Sequence, residues 1–491
     1  MVVSKNILLK SLLCQNYFPM QKEDKEQLPP IFTSSDLTKS IAEEIHNDSI
    51  HTDRRKIGFD SIHYYVTRHN QVSRLFCIPH PKPYINLCFE IYNNWDKIKR
   101  ICSNTNSIIY PQKHRDGRII IMNYETPPIK RDRYYKVAFG KKLLVHTDIS
   151  NCYPSLYSHV IPWALVGIQR AKKDKYDNSL WFNKIDIFSR ACCRNETAGV
   201  PIGPATSNIV CEIILERVDR VLRQRGYTYT RFIDDYYAYC KTQTEAEEFI
   251  RDLNMELIKY RFNLNITKTK LTNLPQPIEE EWINKIRGII PADEQLNPGQ
   301  VSDILDSALM LQKDNPDGSI LKYASKSIVN KLNNESSIEF VKYIIELSFH
   351  YPILISLLYK PLQNIYSQGT GNFQDKFLFL LDDSIKYRRS ESMAWLLYYL
   401  KLFHSDISSE TAKNIIECGD CMAITILAEF TNCRRIVINF ANRIDKTELY
   451  DLDKYWILLY QLYLKGKISN PYISDATFDI LKTHGVSFVQ L

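Results

Sequence analysis

Apolar residues recur at helical spacing over much of the chain, and the helices that they predict are amphipathic. The stretch DLTKSIAEEIH (36–46) follows a cap at Ser34–Ser35, and the first hundred residues are predicted to be mostly helical. Two longer helices are predicted further on, over 207–225 and over 242–260, the second capped by Thr242 or Thr244.

From about residue 108 to residue 145 the helical spacing stops, and the pattern predicts short strands. LLVHTDIS (143–150) is an apolar strand that runs into Asp148. TYTRFI and YYAYC flank the pair Asp234–Asp235, which predicts a β-hairpin with both acids at its tip. Helices alternating with a strand and a hairpin predict an α+β fold.

After Pro291 the pattern becomes helical throughout. VSDILDSALMLQ, SIEFVKYIIELSF and ESMAWLLYYLKLF are amphipathic segments of similar length joined by short polar loops. Stacked helical pairs fit this spacing better than a single bundle. The sequence therefore predicts two domains, 1–290 and 297–491, with a hinge within 290–300.

Charge is unevenly distributed along the 491 residues. The net charge is +7, and the window 111–145 holds nine Lys and Arg against three acids, with tyrosines interleaved. Cations and flat rings suit a phosphate-bearing ligand, although a solvated basic hairpin would have the same composition. There is no run of about 18 apolar residues and no convincing signal peptide, so we expect a protein of the reducing cytoplasm without membrane contact.

The paired acids raise the question of how their charge is compensated. A buried carboxylate is costly unless a cation or a metal is close, whereas a polar turn at the surface would carry two acids without consequence. If the fold brings Asp148 to the hairpin tip, its carboxylate and that of Asp234 suit two Mg²⁺ ions, which prefer oxygen ligands and bridge to substrate phosphates. Such a pair stabilises the attacking and leaving oxygens of a phosphoryl transfer.

Four stretches in this order resemble the palm of reverse transcriptases. They are TDISNCYPSLY (147–157), GVPIGPATS (199–207), RFIDDYY (231–237) and LNITKTK (264–270). More narrowly, the segment DISNCYPSLYSHVIPWAL is similar to the abortive-infection and unknown-group reverse transcriptases that bacteria use against phage. The resemblance implies fingers and palm over about 80–290 and an all-α, HEAT-like repeat domain in place of the thumb.

The resemblance also implies roles for single residues. Asp148 and Asp234 would bind both metals with the Ile149 carbonyl, and Asp235 would be a supporting acid of the same metal site. Tyr153 would lie under the incoming sugar and exclude a 2′-hydroxyl, which favours deoxynucleotides and a DNA product. Lys268 would protonate the pyrophosphate leaving group.

Other assignments are candidates for contacts with the nucleotide. Gly203 would permit close approach of the backbone, Ser207 would cap the following helix, and the triphosphate could be held by Arg118, Lys130 or Arg131. Two positions depart from the common pattern, since Ile202 stands where many reverse transcriptases have Gln and Phe232 where Tyr is usual.

The expected function is therefore an antiphage-defence reverse transcriptase that polymerises deoxynucleotides, in some relatives without a template or from a tyrosine of the protein. Relatives form trimers or hexamers, which implies a homo-oligomer. The alternatives are a retron- or intron-like enzyme that copies a dedicated non-coding RNA, an inactive nucleic-acid-binding scaffold, and an RNA-dependent RNA polymerase. All three acids are present, which argues against the scaffold, and Tyr153 argues against the RNA polymerase.

Overall fold

The computed structural model describes residues 2–20, 22, 24–48, 50, 52–68, 72–122, 125–292, 295–316, 319–366 and 373–490. In this part of the chain, no helix is both long and apolar enough to cross a membrane.

The N-terminal part combines helices with one β-hairpin. Its elements are α1 (Lys5–Cys14), α2 (Lys39–Asn47), α3 (Thr52–Ile57), β1 (Ser61–Val66), β2 (Arg74–Pro79), α4 (Pro81–Asn93) and α5 (Trp95–Ile101). The prediction of a mostly helical start missed the hairpin. Its first strand alternates buried Ile62 and Tyr64 with side chains on the other face, which is the period of a half-buried strand.

The central part holds the second sheet. Its elements are α6 (Pro127–Ala138), β3 (Leu143–Asp148), α7 (Cys152–Ser155), α8 (Val160–Val166), α9 (Ile168–Lys173), α10 (Trp181–Ala191), α11 (Ala205–Gln224), β4 (Tyr229–Phe232), β5 (Asp235–Cys240), α12 (Gln243–Lys259) and β6 (Lys270–Asn273). Short strands were expected up to residue 145, and α6 is a helix instead. This helix buries none of its residues, so it has no apolar face for the sequence to reveal.

The sheet has the order β4-β5-β3-β6 and is antiparallel throughout. The predicted hairpin around the acids is confirmed by the pairing of β4 with β5. Helices α11 and α12 contribute buried residues to the core, whereas His146 on β3 and Tyr237 on β5 are only partly buried. Thr242 caps α12 by accepting a hydrogen bond from the backbone N–H of Glu245, as predicted.

The C-terminal part is all helical in the residues described. Its helices are α13 (Glu281–Ile289), α14 (Pro298–Asp314), α15 (Ile320–Ile328), α16 (Asn334–His350), α17 (Tyr359–Tyr366), α18 (Gln374–Lys386), α19 (Ser390–Leu402), α20 (Ser409–Cys418), α21 (Cys421–Leu427), α22 (Arg434–Arg443), α23 (Leu449–Lys454), α24 (Trp456–Leu464) and α25 (Thr477–Thr483). Asn297 and Asn333 begin α14 and α16 with capping boxes. A HEAT-like repeat remains a prediction.

The N-terminal and C-terminal parts share one buried core. The indole N–H of Trp456 donates to the carbonyl of Ile78 on β2, and that of Trp395 donates to the carbonyl of Glu26. Both indoles are almost fully buried, so these contacts lie inside the protein. The predicted boundary between 290 and 297 remains a prediction, and residues 293 and 294 of the expected hinge lie outside the described part.

Candidate active site

Two adjacent strands bring the predicted acids together. Asp148 at the end of β3 is paired in register with Asp235 at the start of β5, and Asp234 lies in the turn between β4 and β5. The backbone N–H of Ile149 donates to the Asp234 carbonyl over 3.2 Å, which joins the two chain segments. The fold thus places Asp148, Asp234 and Asp235 at one edge of the sheet.

The turn that carries Asp234 has an unusual backbone. Ile233 has a φ of 59°, a left-handed conformation that is strained for a β-branched residue. Arg231 lies beneath this turn, almost fully buried, and donates to the Ile233 carbonyl over 2.7 Å. Its guanidinium also pairs with Asp219 at 2.7 Å and Glu212 at 3.0 Å. A buried ion-pair network therefore supports the strained turn.

The electrostatics of the acids are those of a site that needs a cation. Burial, then the charge of Asp235, raises the pKa of Asp234 to about 6; Asp148 adds to the rise and Arg74 opposes it. Lys268 Nζ contacts Asp148 Oδ2 at 2.7 Å, and this hydrogen bond raises the pKa of the lysine. The other carboxylate oxygen of Asp148 is buried and has no hydrogen-bond partner.

This donor set fits hard divalent cations. Among the described residues, no group of three or more His, Cys, Asp or Glu side chains is arranged to hold a metal ion by itself. Asp148 and Asp234 offer carboxylate oxygens, one of them without a partner, and Mg²⁺ completes its shell with water and substrate phosphate. Asp235 is directed differently, since its Oδ1 lies 3.4 Å from His146 Nε2.

A cleft of about 730 Å³ opens beside the acids. Its palm side includes Asp148, Ile149, Asp234 and Lys268, and its floor is the loop 199–202. The opposite wall comes from the β1–β2 hairpin. The cleft is large enough for a nucleotide and brings Asp148, Ile149 and Asp234 to one surface with the lysine and Tyr153. Asp235, the other predicted residue of the metal site, does not line it.

Tyr153 is held in a fixed position in this cleft. The ring is 6% exposed, and its hydroxyl accepts a 2.9 Å hydrogen bond from the side-chain amide of Asn208 on α11. Asn208 is itself buried, so two elements lock the ring. Asn208 lies just beyond GVPIGPATS, and sequence reasoning did not single it out because its partner comes from a separate segment.

Two arginines in the cleft wall were missed by sequence reasoning. Arg74 begins β2 and lies close enough to Asp234 and Tyr153 to influence both groups electrostatically. Burial, then the neighbouring charge of Arg74, lowers the pKa of Arg68. Both arginines line the cleft, and cations in such a place suit an anionic ligand. The strand alternation of β1 was the signal that could have revealed this wall.

The predicted triphosphate ligands lie elsewhere. Arg118 is buried and holds its own surroundings together, contacting Asp116 and the carbonyls of Met20 and Lys22. Lys130 on α6 pairs with Glu279 at 3.2 Å, and Arg131 on the same helix is exposed. The structure brings none of the three to the wall of the cleft.

The glycine-rich loop is placed partly as expected. Gly203 has a φ of 137°, and a Cβ there would meet Pro19 at 2.9 Å and the Cys77 carbonyl at 3.1 Å, so the close approach is to protein. Ser207 is buried in the first turn of α11, whose N-cap is Pro204, and the prediction that Ser207 caps this helix is wrong. Neither residue lines the cleft.

Much of this site lies in a part of the chain that is similar to a known protein family. Residues 132–295 match the family described as reverse transcriptase (RNA-dependent DNA polymerase). Similar solved structures include telomerase from Candida albicans in complex with a fragment of telomeric RNA, at 10% identity over 83% of this chain and 68% of that chain, with a TM-score of 0.32. Apo telomerase from Candida tropicalis is 11% identical over 84% and 73%, with a TM-score of 0.33. No curated protein matches. By the family match alone, residues 132–295 form an RNA-directed DNA polymerase domain, a nucleotidyltransferase.

Proposed function

We propose that this reverse transcriptase domain adds deoxynucleotides to a 3′ end at the cleft between β3, β5 and the β1–β2 hairpin, and that the enzyme serves bacterial defence against phage. One observation carries the chemistry: Asp148, Asp234, Tyr153 and Lys268 line a single cleft. Two metal ligands, a sugar-side ring and a proton donor are the parts that nucleotidyl transfer requires.

Asp148 and Asp234 would hold two Mg²⁺ ions, with the Ile149 carbonyl as a further oxygen. The ions would neutralise the charge that develops on the attacking and leaving oxygens. In the protein itself, Asp234 would be ionised at neutral pH, because its raised pKa of about 6 still lies below 7. Asp235 lies beside it and would tune the site through its charge and its contact with His146.

Lys268 would supply the proton for the leaving pyrophosphate. It carries a proton at neutral pH because its hydrogen bond to Asp148 raises its pKa further. Its side chain is 63% exposed, so it can turn from Asp148 toward a bound triphosphate. Arg74 and Arg68 would hold that triphosphate from the opposite wall.

Tyr153 would select the sugar. Its ring is locked by Asn208 and lines the cleft, so it cannot move aside for a 2′-hydroxyl. This arrangement favours deoxynucleotides over ribonucleotides and supports DNA as the product.

The resemblance of the palm stretches to defence-associated enzymes supports the antiphage role. It also supports synthesis without a template, priming from a tyrosine of the chain, assembly into a homo-oligomer such as a trimer or hexamer, and a place in the bacterial cytoplasm.

The test is incorporation of each labelled deoxynucleotide by the purified chain with Mg²⁺, first with no nucleic acid and then with added RNA. DNA that stays with the protein until protease is added would support template-free, protein-primed synthesis. Incorporation only with RNA would support instead a templated enzyme with a dedicated non-coding RNA, as in retrons and introns. No incorporation under either condition, with Asp148→Asn as the inactive control, would overturn the polymerase proposal.

A further inference from the structure

The strand β1 is held at both of its ends by buried acids from the C-terminal helices. Before the strand, the backbone N–H of Asp60 donates to Asp453 Oδ2 over 2.9 Å. Directly after it, the backbone N–H of Thr67 donates to Glu391 Oε2, also over 2.9 Å. The two acids are 0% and 3% exposed, on α23 and α19, so neither bond competes with water.

Each acid is in turn compensated by charges around it. Arg54 on α3 pairs with Asp453, and the hydroxyl of Tyr472 donates to Asp453 Oδ1 over 2.8 Å. Near Glu391, the ammonium of Lys322 lies 2.9 Å from Glu26 and interacts electrostatically with Glu391 as well. Buried carboxylates are costly without such partners. Their presence at the two ends of one strand marks a built arrangement.

The ends of β1 are also the places where the hairpin meets the cleft. Asp60 and Ser61 line the cleft at one end of the strand, and Arg68, next to Thr67, lines it at the other. The returning strand begins with Arg74, which also faces the cleft. A shift of the Thr67 backbone would therefore move Arg68 directly.

We propose that the C-terminal helical region positions the nucleotide-binding wall of the cleft, and that Glu391 is the positioning residue for Arg68 and Arg74 through its hydrogen bond from Thr67. The helical region thus sets nucleotide affinity from behind the hairpin. This inference rests on the proposed function, because it takes the arginine wall to bind the triphosphate.

The test compares substitutions that separate the hydrogen bond from the charge. Glu391→Gln removes the charge and keeps an oxygen that accepts from Thr67, whereas Glu391→Met fills the space and accepts no hydrogen bond. We expect E391M to raise the KM for deoxynucleotides about tenfold, with kcat and the Kd for nucleic acid within about twofold of wild type. E391Q should stay within about twofold in KM.

Glu429→Met is the matched control. Glu429 is a buried acid of the same helical region that pairs with Lys465 at 2.5 Å, and none of its hydrogen bonds reaches the hairpin. E429M should reduce stability without changing the KM. If E391M does not fold, Glu391→Asp replaces it in the test. This change keeps the charge but moves the acceptor oxygen away from the Thr67 N–H by the length of one methylene, so it should also raise the KM for deoxynucleotides.

A wild-type KM in E391M or E391D would overturn the proposal, and so would an equal rise in E429M. Amide hydrogen exchange gives a second readout that does not depend on activity. In E391M the amides of Thr67, Arg68 and Arg74 should exchange about tenfold faster, and those of β3 and β5 should not change. If the wild type shows no polymerase activity, this exchange result still decides whether Glu391 holds the hairpin, and only the function proposed for the wall fails.

Discussion

Arg231 and Ile233, two residues apart, are joined by a 2.7 Å hydrogen bond from the guanidinium of the first to the carbonyl of the second. The bond spans the turn in which Ile233 takes its left-handed conformation. It connects the strained backbone beside Asp234 to the buried acids Asp219 and Glu212. The turn that carries Asp234 is thus supported from within the core.

Arg231→Ala should be strongly destabilising, because it leaves two buried acids unpaired and the turn unsupported. We expect a loss of about 3–5 kcal/mol in the free energy of unfolding, measured by denaturant titration. Arg220→Ala, an exposed arginine of α11, should change it by no more than about 0.5 kcal/mol. Equal effects of the two changes would contradict the support by Arg231.

Asp234→Asn should abolish nucleotide incorporation, by at least about a thousandfold, and leave the fold intact. Because burial and neighbouring acids oppose the charge of Asp234, its removal should leave the thermal midpoint in EDTA unchanged or higher. A midpoint well below that of the wild type would show that the carboxylate is structural.

Tyr153→Ala should admit ribonucleotides, because it removes the ring that we propose meets the 2′ position. The ratio of kcat/KM for ribonucleotides to that for deoxynucleotides should rise on the order of 10–200-fold. Tyr153→Phe keeps the ring and loses only the hydrogen bond to Asn208, so it should keep most of the selectivity. Equal use of both sugars by the wild type would disprove the steric role.

Arg74→Ala should weaken nucleotide binding if Arg74, which lies near Asp234, holds the triphosphate as proposed. We expect the KM for deoxynucleotides to rise about 10–100-fold, which corresponds to about 1.5–3 kcal/mol. Arg55→Ala, at an exposed arginine of α3, is the control and should have no effect. An unchanged KM in R74A would remove the hairpin from the nucleotide site.

Glu391→Gln should change how stability depends on pH. Burial raises the pKa of Glu391 to about 7 in the folded protein, so the folded state binds the proton more tightly than the unfolded state. Its contribution to stability is present below about pH 4.5 and is lost as the pH rises to about 7. Relative to E391Q, the wild type should lose on the order of 2–3 kcal/mol across this window.

The ionisation of Glu26 changes stability in the opposite direction and over a different pH range. The lysines around it hold its pKa below the usual range, so its contribution is lost only as the pH falls below about 4.5. Unfolding titrations of wild type and E391Q at pH 5 and pH 8 therefore isolate Glu391. Parallel pH profiles of the two proteins would contradict the raised pKa.

The sequence predicted the parts of the site that are local in the chain. Strand alternation within a few residues predicted the strand that ends at Asp148 and the hairpin around Asp234. In the surrounding fold, equally local helix signals predicted the cap at Thr242. The triphosphate candidates were chosen because they lie in a basic window. Arg118, however, is buried and uses its guanidinium to donate hydrogen bonds to Asp116 and to two backbone carbonyls. Arg74 and Asn208 gain their positions only through contacts between distant segments, which one sequence does not reveal.

Gly203 lies where the loop that forms the floor of the cleft meets the β1–β2 hairpin that forms its wall. The Cys77 backbone N–H donates to the Ile202 carbonyl over 2.8 Å, and the space beside Gly203 is filled by Pro19 and Cys77. The floor and the wall of the cleft are therefore joined by a backbone hydrogen bond, and the space beside Gly203 leaves no room for a side chain. A side chain introduced at position 203 would therefore press on Pro19 and on the Cys77 carbonyl together, and so disturb the hairpin wall from the side of the floor.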